Sequence, residues 1–433
     1  MIDYELVISN REQPLIYNSQ LMTTSNSSCR IISKEELMKV LQCLYLFSFF
    51  FLTVSLCLFG QENDTVISEK REKNFRFSGQ LSGWAHYTPD IEMDFRVGGR
   101  YIPQLNYKIP FKKQKERMID FEASSHFYKD MAAYFFDSFV FDGKIKPHRI
   151  WARYSTQRME LRLGLQKINF GSANMFRPLM WFDRIDPRDP LQLTDGVYGL
   201  LFRYYFQNNT NVWLWGLYGN HNTKGYEILT TGKKYPEGGA RAQFAIPRGE
   251  IAGTYHFRMA NTTLLKDFGM SVDYGAIGEN NIGFDMKLDV IIGLWLEASW
   301  TTFNRNIDLY TNQEMMTLGM DYTFGTGNGL NLVFEQMLYS NDKRAFAFSN
   351  TLTFSGLSLS YPVGMFDNIS SMIYFDWINT NVYSFLSWQK EYKAVTFYVM
   401  GYWNPEQYAL PGQNIGSNRF AGRGLQFMAV WNH

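Results

Sequence analysis

Apolar and polar residues alternate along many short segments between residues 75 and 433. In Ile282–Val290 every second residue is large and apolar, and the positions between are Gly, Asp, Lys and Asp. Glu314–Phe324, Met159–Leu165 and Tyr198–Phe206 repeat the pattern. A period of two is typical of β-strands, whereas a helix would space its apolar positions by three and four. The pattern therefore predicts strands with one apolar face and one polar, often charged face.

Turn residues separate these segments. Short reversals are predicted at Gly325–Gly329, Pro247–Gly249 and Ser355-Gly356. Longer connections are predicted at 171–196, 220–238 and 403–419. Reversing direction at each strand, from the 171–196 connection on the outer side, puts the 403–419 connection on the outer side too. Met131–Phe141 fits either a strand or a short apolar helix.

The fold class predicted from these strands is all-β, a transmembrane antiparallel up-and-down β-barrel. At about 10 residues per strand, residues 75–433 supply about 18 strands, within a range of roughly 16 to 22. The charged second faces indicate a wet interior rather than the packed core of a soluble sandwich. Phe420–Trp431 is an amphipathic strand that resembles the signal read by the barrel assembly machinery.

The first 74 residues differ from this body. Met38-Lys39, the apolar run Val40–Phe59 and Gly60 match a signal peptide at 38–60, which leaves 61–74 as a short periplasmic segment. Residues 1–37 are predicted to be an upstream over-read or, alternatively, a short helical cap. A permanent transmembrane helix at 40–59 is the competing interpretation. All three cysteines precede residue 61, which fits export of the body through an oxidising compartment.

Composition narrows the function classes. The chain has 42 Lys+Arg against 41 Asp+Glu, so its formal net charge of +1 argues against a nucleic-acid partner. Aromatic residues make up 17% of the chain, while the mean hydropathy is only −0.26. A high aromatic content without long apolar runs is typical of an outer-membrane barrel. We therefore expect an outer membrane location in a Gram-negative bacterium, with the lipid bilayer as partner.

The 171–196 connection is the first candidate for a functional segment. It contains prolines and aromatic residues that favour an ordered loop, together with charges of both signs. Folded into the lumen, it would form a pore constriction, and the alternative is a solvated extracellular loop. The predicted constriction residues are Arg177, Asp183, Arg184, Asp186, Arg188 and Asp189. The predicted lumen wall consists of Arg153, Arg162, Arg203, Asp285, Lys287 and Asp289, assigned to inward positions by strand alternation.

The same segment resembles the large outer-membrane porins of the alginate-export and related families. The residues that carry the likeness are Gly164-Leu165-Gln166, Gly171, Arg177-Pro178 and Asp186-Pro187-Arg188-Asp189. The resemblance implies an outer-membrane channel of about 18 strands for small or anionic solutes.

The predicted function is a porin, a channel for passive or weakly selective diffusion of small hydrophilic solutes. One alternative is a non-conducting structural barrel, such as an adhesin or secretion partner. The other is a barrel hydrolase, for which only Ser124 and His126 on one strand face could serve. The six histidines are dispersed and no phosphate-binding glycine motif precedes a helix, so no enzyme activity, metal or cofactor is predicted.

Overall fold

The alternating segments form the strands of a single antiparallel sheet. The computed structural model describes residues 74–89, 95–111, 116–133, 139–266, 274–406 and 420–433. Within these ranges there are 18 strands, so the predicted count and fold class are confirmed. The predicted over-read, signal peptide and nearly all of the periplasmic segment lie outside the described residues.

The strands are numbered in chain order. Their bounds are β1 Phe75–Tyr87, β2 Phe95–Pro110, β3 Met118–Ala133, β4 Phe139–Ser155, β5 Met159–Gln166, β6 Val197–Tyr205, β7 Asn211–Leu217, β8 Glu237–Ile246, β9 Gly249–Asn261, β10 Ala276–Asp289, β11 Gly293–Phe303, β12 Asn312–Phe324, β13 Leu330–Asp342, β14 Thr351–Pro362, β15 Asp367–Asp376, β16 Asn381–Tyr392, β17 Val395–Trp403 and β18 Arg423–Asn432. Two short 3-10 turns lie at Thr263–Lys266 and Asp308–Tyr310.

Each strand pairs antiparallel with the next strand along the chain, and the sheet closes on itself. β1 pairs with β18 from Gln80↔Asn432 to Tyr87↔Leu425, and β1 also pairs with β2. Closure leaves no edge strand, so every strand has backbone partners on both sides. Among the described residues, no helix is long and apolar enough to cross a membrane.

The two faces of the closed sheet differ in chemistry. On β12, Leu318 is 50% exposed, and Met316 and Met320 on the same face are also exposed. Thr317, between them in sequence, is fully buried on the other face. The same alternation on the neighbouring strands makes the outer face apolar and exposed, while the inner face carries buried polar and apolar side chains. An exposed apolar outer surface is the surface a barrel presents to lipid.

The two ends of the barrel also differ. The connections that leave the odd-numbered strands include the longest ones, at 167–196, 218–236 and 404–422. The connections that leave the even-numbered strands contain at most seven residues each. These ends are called the long-loop end and the short-turn end below. The connections predicted at 171–196 and 403–419 therefore leave the same end of the barrel, and the connection predicted at 220–238 leaves that end as well.

The structure settles one open strand assignment, at Met131–Phe141, and corrects one predicted turn, at Ser355-Gly356. Met131 and Phe141 pair with each other in strands β3 and β4, so the strand interpretation of that segment is correct at both ends. Ser355-Gly356 is not a turn, since both residues lie inside β14. A Cβ atom on Gly356 would come within 2.9 Å of Phe176 Cε2. The glycine leaves space for a side chain of the 167–196 connection, and that close approach explains its presence within a strand.

Candidate functional site

The β5–β6 loop, residues 167–196, is hydrogen bonded to the inner face of distant strands. The Glu335 carboxylate on β13 accepts hydrogen bonds from the backbone N–H groups of Asn174, Met175 and Phe176, at 2.6, 2.9 and 2.7 Å. Trp295 Nε1 donates a further bond to Glu335 at 3.1 Å. Three consecutive N–H groups converging on one carboxylate are an anion-binding arrangement that fixes the local course of the loop.

Glu297 on β11 is the second contact point. Its carboxylate accepts hydrogen bonds from the N–H groups of Ala173 at 3.0 Å and Leu179 at 2.6 Å. Gly171 has a φ of +96°, and a Cβ atom there would lie 2.4 Å from Glu297 Oε2, so a side chain would block this approach. Glu297 and Glu335 are both fully buried, and they are called the carboxylate anchors below.

The anchors lie far from the loop's own strands. β11 is six strands and β13 eight strands away from β5 around the 18-stranded sheet. Hydrogen bonds to both strands therefore join the loop to a part of the wall that is remote from β5 and β6.

Apolar packing accompanies these hydrogen bonds. Met175 and Phe176 belong to a buried cluster on the inner face of β12–β17 that includes Phe354, Tyr374 and Phe385. The Phe176 ring meets the Tyr374 ring at 5.4 Å in an edge-on arrangement. Large buried rings of this kind contribute both area and defined geometry. The packing and the anchors together hold residues 173–179 against the wall.

Arg177 and Asp183, predicted at the constriction, are buried within the loop. The Arg177 guanidinium donates to Asn169 Oδ1 and to the Phe170 carbonyl, and it lies 3.8 Å from the Asp183 carboxylate. Burial raises the pKa of Asp183 above its usual value, partly offset by the charge of Arg177. The Arg177–Asp183 pair therefore stabilises the conformation of the β5–β6 loop.

Arg184, Arg188 and the acidic residues near them also make contacts to protein groups. Arg184 donates to the Gly225 carbonyl and to Thr223 Oγ1 in the β7–β8 connection, both at 3.0 Å. Arg188 forms two hydrogen bonds with Asp186, at 2.7 and 2.6 Å. Its guanidinium also lies 4.7 Å from the centre of the Phe420 ring and 5.4 Å from that of the Phe385 ring. The Asp189 carboxylate accepts the N–H of Leu191.

A buried ion-pair network holds the β7–β8 connection, residues 218–236, against β8–β10. Arg258, fully buried, pairs with Glu279 at 2.5 Å and with Glu227 at 3.3 Å. Lys224 binds Glu237 at 2.9 Å and Glu227 at 3.4 Å. Because Arg184 is bonded to this same connection, the β5–β6 loop and the β7–β8 connection stabilise each other.

The predicted wall arginines form a second group, on the inner face of β4–β6. Arg153, Arg162 and Arg203 lie 3.5, 2.8 and 3.9 Å from the Glu160 carboxylate. Arg153 also pairs with Asp120 on β3 at 2.8 Å. We call these three arginines and two carboxylates the arginine cluster. It carries one excess positive charge, and its arginine side chains are 15 to 26% exposed.

Two tryptophans orient the arginine cluster. The Arg203 guanidinium lies 3.7 Å from the centre of the Trp213 ring, and Arg162 lies 4.8 Å from that of Trp151. Stacking on an aromatic face fixes a guanidinium while leaving its edge available to hydrogen-bond acceptors.

The three predicted wall residues on β10 lie away from the arginine cluster. Asp285 is buried and pairs with Arg241 at 2.8 Å through its second oxygen. Lys287 and Asp289 lie 3.8 Å apart near the short-turn end and remain accessible. The predicted wall is thus divided between an arginine-rich group and a separate acidic strand.

The residues weighed for hydrolysis and metal binding are held by other contacts. Ser124 Oγ donates to the Arg149 carbonyl at 3.5 Å, and the β3–β4 register shifts between Ser124 and Ser125. His126 instead lies against His148, with 6.2 Å between the ring centres. Across the described ranges, no group of three or more His, Cys, Asp or Glu could hold a metal ion.

Sequence reasoning missed the carboxylate anchors and the cluster's carboxylates. In the sequence, Glu297 and Glu335 look like any acidic inner-face position of a wet barrel. Their role is to accept hydrogen bonds from the β5–β6 loop, which is distant in sequence, so no local sequence pattern predicts it. Glu160 could have been found, because it lies two residues from Arg162 on the same strand face.

Comparison with known proteins finds similarity in the fold alone. No protein-family model and no curated protein sequence matches the chain. OccAB1 of Acinetobacter baumannii has a TM-score of 0.50 at 8% identity, with 86% of this chain and 98% of that chain covered. OmpF of Salmonella typhi has a TM-score of 0.42 at 10% identity, covering 83% and 97%. An anion-selective porin from Comamonas acidovorans has 0.41 at 11% identity, covering 83% and 99%.

Proposed function

We propose that this protein is a porin of a Gram-negative outer membrane, through which small hydrophilic solutes diffuse. The apolar exposed outer face supports a membrane location, and the closed 18-stranded sheet supports a water-filled interior. The assembly machinery would recognise the last strand.

The observation that carries the proposal is the hydrogen bonding of the β5–β6 loop to the inner face of distant strands, from which we infer that the loop crosses the lumen. Its backbone is bonded to Glu335 and Glu297 on strands far from β5. A segment held in this way narrows the lumen at a fixed depth. Solutes would then be selected by size at the loop.

Charge selection is assigned to the arginine cluster rather than to the charges of the loop. Arg177 and Arg188 are buried and paired within the loop, whereas the cluster arginines remain partly exposed beside an excess positive charge. An accessible cationic wall raises the local concentration of small anions. One excess charge does not suffice to draw in a polyanion such as alginate, so small anionic solutes are the class we propose.

The test is planar-bilayer recording of residues 61–433 and of an Arg162→Gln/Arg203→Gln double variant. The protein should form steady channels, and the double variant should shift reversal potentials toward cations by roughly two- to fivefold in permeability ratio at low salt. Lys393→Gln, in an exposed turn between β16 and β17, is the control for loss of a positive charge elsewhere. An equal shift in the control would contradict the assignment to the cluster.

A plugged, non-conducting barrel is the second candidate. The observation in its favour is that the β5–β6 loop and the β7–β8 connection pack against buried groups of the inner face, through Glu335 and Arg258. A folded, heat-modifiable barrel that never conducts would establish this alternative and reject the porin.

A further inference from the structure

A groove of about 430 Å³ lies on the outer face of the barrel across β1–β5. Its walls are almost entirely apolar and include Leu105, Phe121, Ile150 and Leu163. The side chains of these four residues are 42 to 61% exposed.

Two alanines create the groove. Ala123 pairs in register with Leu105 on one side and Ile150 on the other. Ala152 pairs with Phe121 and with Leu163. Because neighbouring residues of paired strands stand side by side, each alanine leaves a trough between two large side chains. The two troughs are adjacent and form one channel along the surface.

The adjoining part of the short-turn end is basic. Arg117, before β3, and Arg158, before β5, are both exposed. The sequence of the β2–β3 connection adds Lys112, Lys113 and Lys115 against the single acid Glu116. Elsewhere at this end the charges are balanced, as where Lys390 pairs with Asp367 at 2.9 Å.

The groove and the basic connection are separated by a distance that suits a lipid. The pair Pro110↔Met118 lies at the end of β2 and the start of β3, next to the connection. The pair Leu105↔Ala123 lies at the groove, five residues or about 17 Å further along the strands. With a strand tilt of about 40°, this is about 13 Å of depth, close to one leaflet of a hydrocarbon core ~30 Å thick. A headgroup at the connection would therefore place its acyl chain in the groove.

We propose that this groove binds an acyl chain of an anionic phospholipid whose phosphate is held by Arg117 and Arg158. Guanidinium groups are suitable partners for a phosphate, and the apolar trough suits a hydrocarbon chain. The inference rests on the proposed membrane location, but it requires no conduction. A second copy of this chain is the competing occupant.

The test is native mass spectrometry of residues 61–433 with dioleoylphosphatidylglycerol or dioleoylphosphatidylcholine. We expect one retained lipid, with the anionic lipid preferred. Arg117→Gln/Arg158→Gln should reduce that preference by at least about fivefold. Ala123→Phe, which fills the groove, should abolish retention of both lipids. The controls are Ala298→Phe, on the outer face of β11, and Lys393→Gln in another short turn.

The outcomes separate the alternatives. Equal retention of both lipids, or retention unchanged by Ala123→Phe in a heat-modifiable barrel, overturns the proposal. An oligomer that Ala123→Phe dissociates assigns the groove to a second copy and overturns it as well. Conductance of the same preparations is recorded separately, so failure of the porin function and failure of lipid binding are distinguishable.

Discussion

The carboxylate anchors and the arginine cluster are both charged groups on the inner face of one barrel, yet they differ in partners and in exposure. Glu297 and Glu335 are fully buried and bonded to backbone N–H groups of the β5–β6 loop. The arginines of the cluster contact carboxylates and tryptophans, and they remain partly exposed. Buried charges with fixed partners define structure, whereas exposed ones act on mobile ions.

Removing a buried cation should cause the largest loss in the free energy of unfolding. Arg258→Met leaves Glu279 and Glu227 without a main partner, and breaking a buried pair in this way costs about 3–5 kcal/mol. Urea unfolding in lipid vesicles measures the loss. Arg305→Met, in an exposed connection, is the control and should change stability by less than about 0.5 kcal/mol. Equal stability of the two variants would show that the buried network is not needed.

Removing an anchor should release the loop. Glu335→Ala leaves three backbone N–H groups without their acceptor, at a local cost of about 2–4 kcal/mol. We expect larger and noisier single-channel currents and faster trypsin cleavage after Arg184 or Arg188. Glu391→Ala, an exposed carboxylate on β16, should change neither. A trypsin-resistant Glu335→Ala loop would mean that apolar packing alone holds it.

A high salt concentration should weaken the anion preference of the arginine cluster, because the cluster is exposed. It should not change the stabilising effect of Arg258, because that ion pair is buried. Raising KCl from 0.1 M to 1 M shortens the Debye length from about 10 Å to about 3 Å. The anion preference attributed to the arginine cluster should therefore decline, while the cost of Arg258→Met should stay the same. Reversal potentials and urea unfolding at both salt concentrations provide the comparison. A preference that persists at 1 M would point to a more enclosed filter.

The sequence predicts the wall of this barrel better than its interior. Alternation identifies strands such as β10 and β12 because one face meets an apolar exterior at every second residue. The turn predicted at Ser355-Gly356 was wrong, because the sequence does not distinguish a glycine that leaves space for Phe176 from a glycine in a turn. The anchors escaped for a related reason, since Glu335 and Asn174 are 161 positions apart.

The pairing of β1 with β18 has a consequence for biogenesis. Gln80 and Asn432, which are bonded across this seam, are separated by 352 positions. Until β18 arrives, β1 has an unpaired edge whose polar backbone groups cannot be satisfied in hydrocarbon. In the proposed membrane location, insertion and closure would therefore occur together, and contacts so distant in sequence make folding slow. A chain stalled before residue 423 would expose that edge to other chains, which is a route to aggregation.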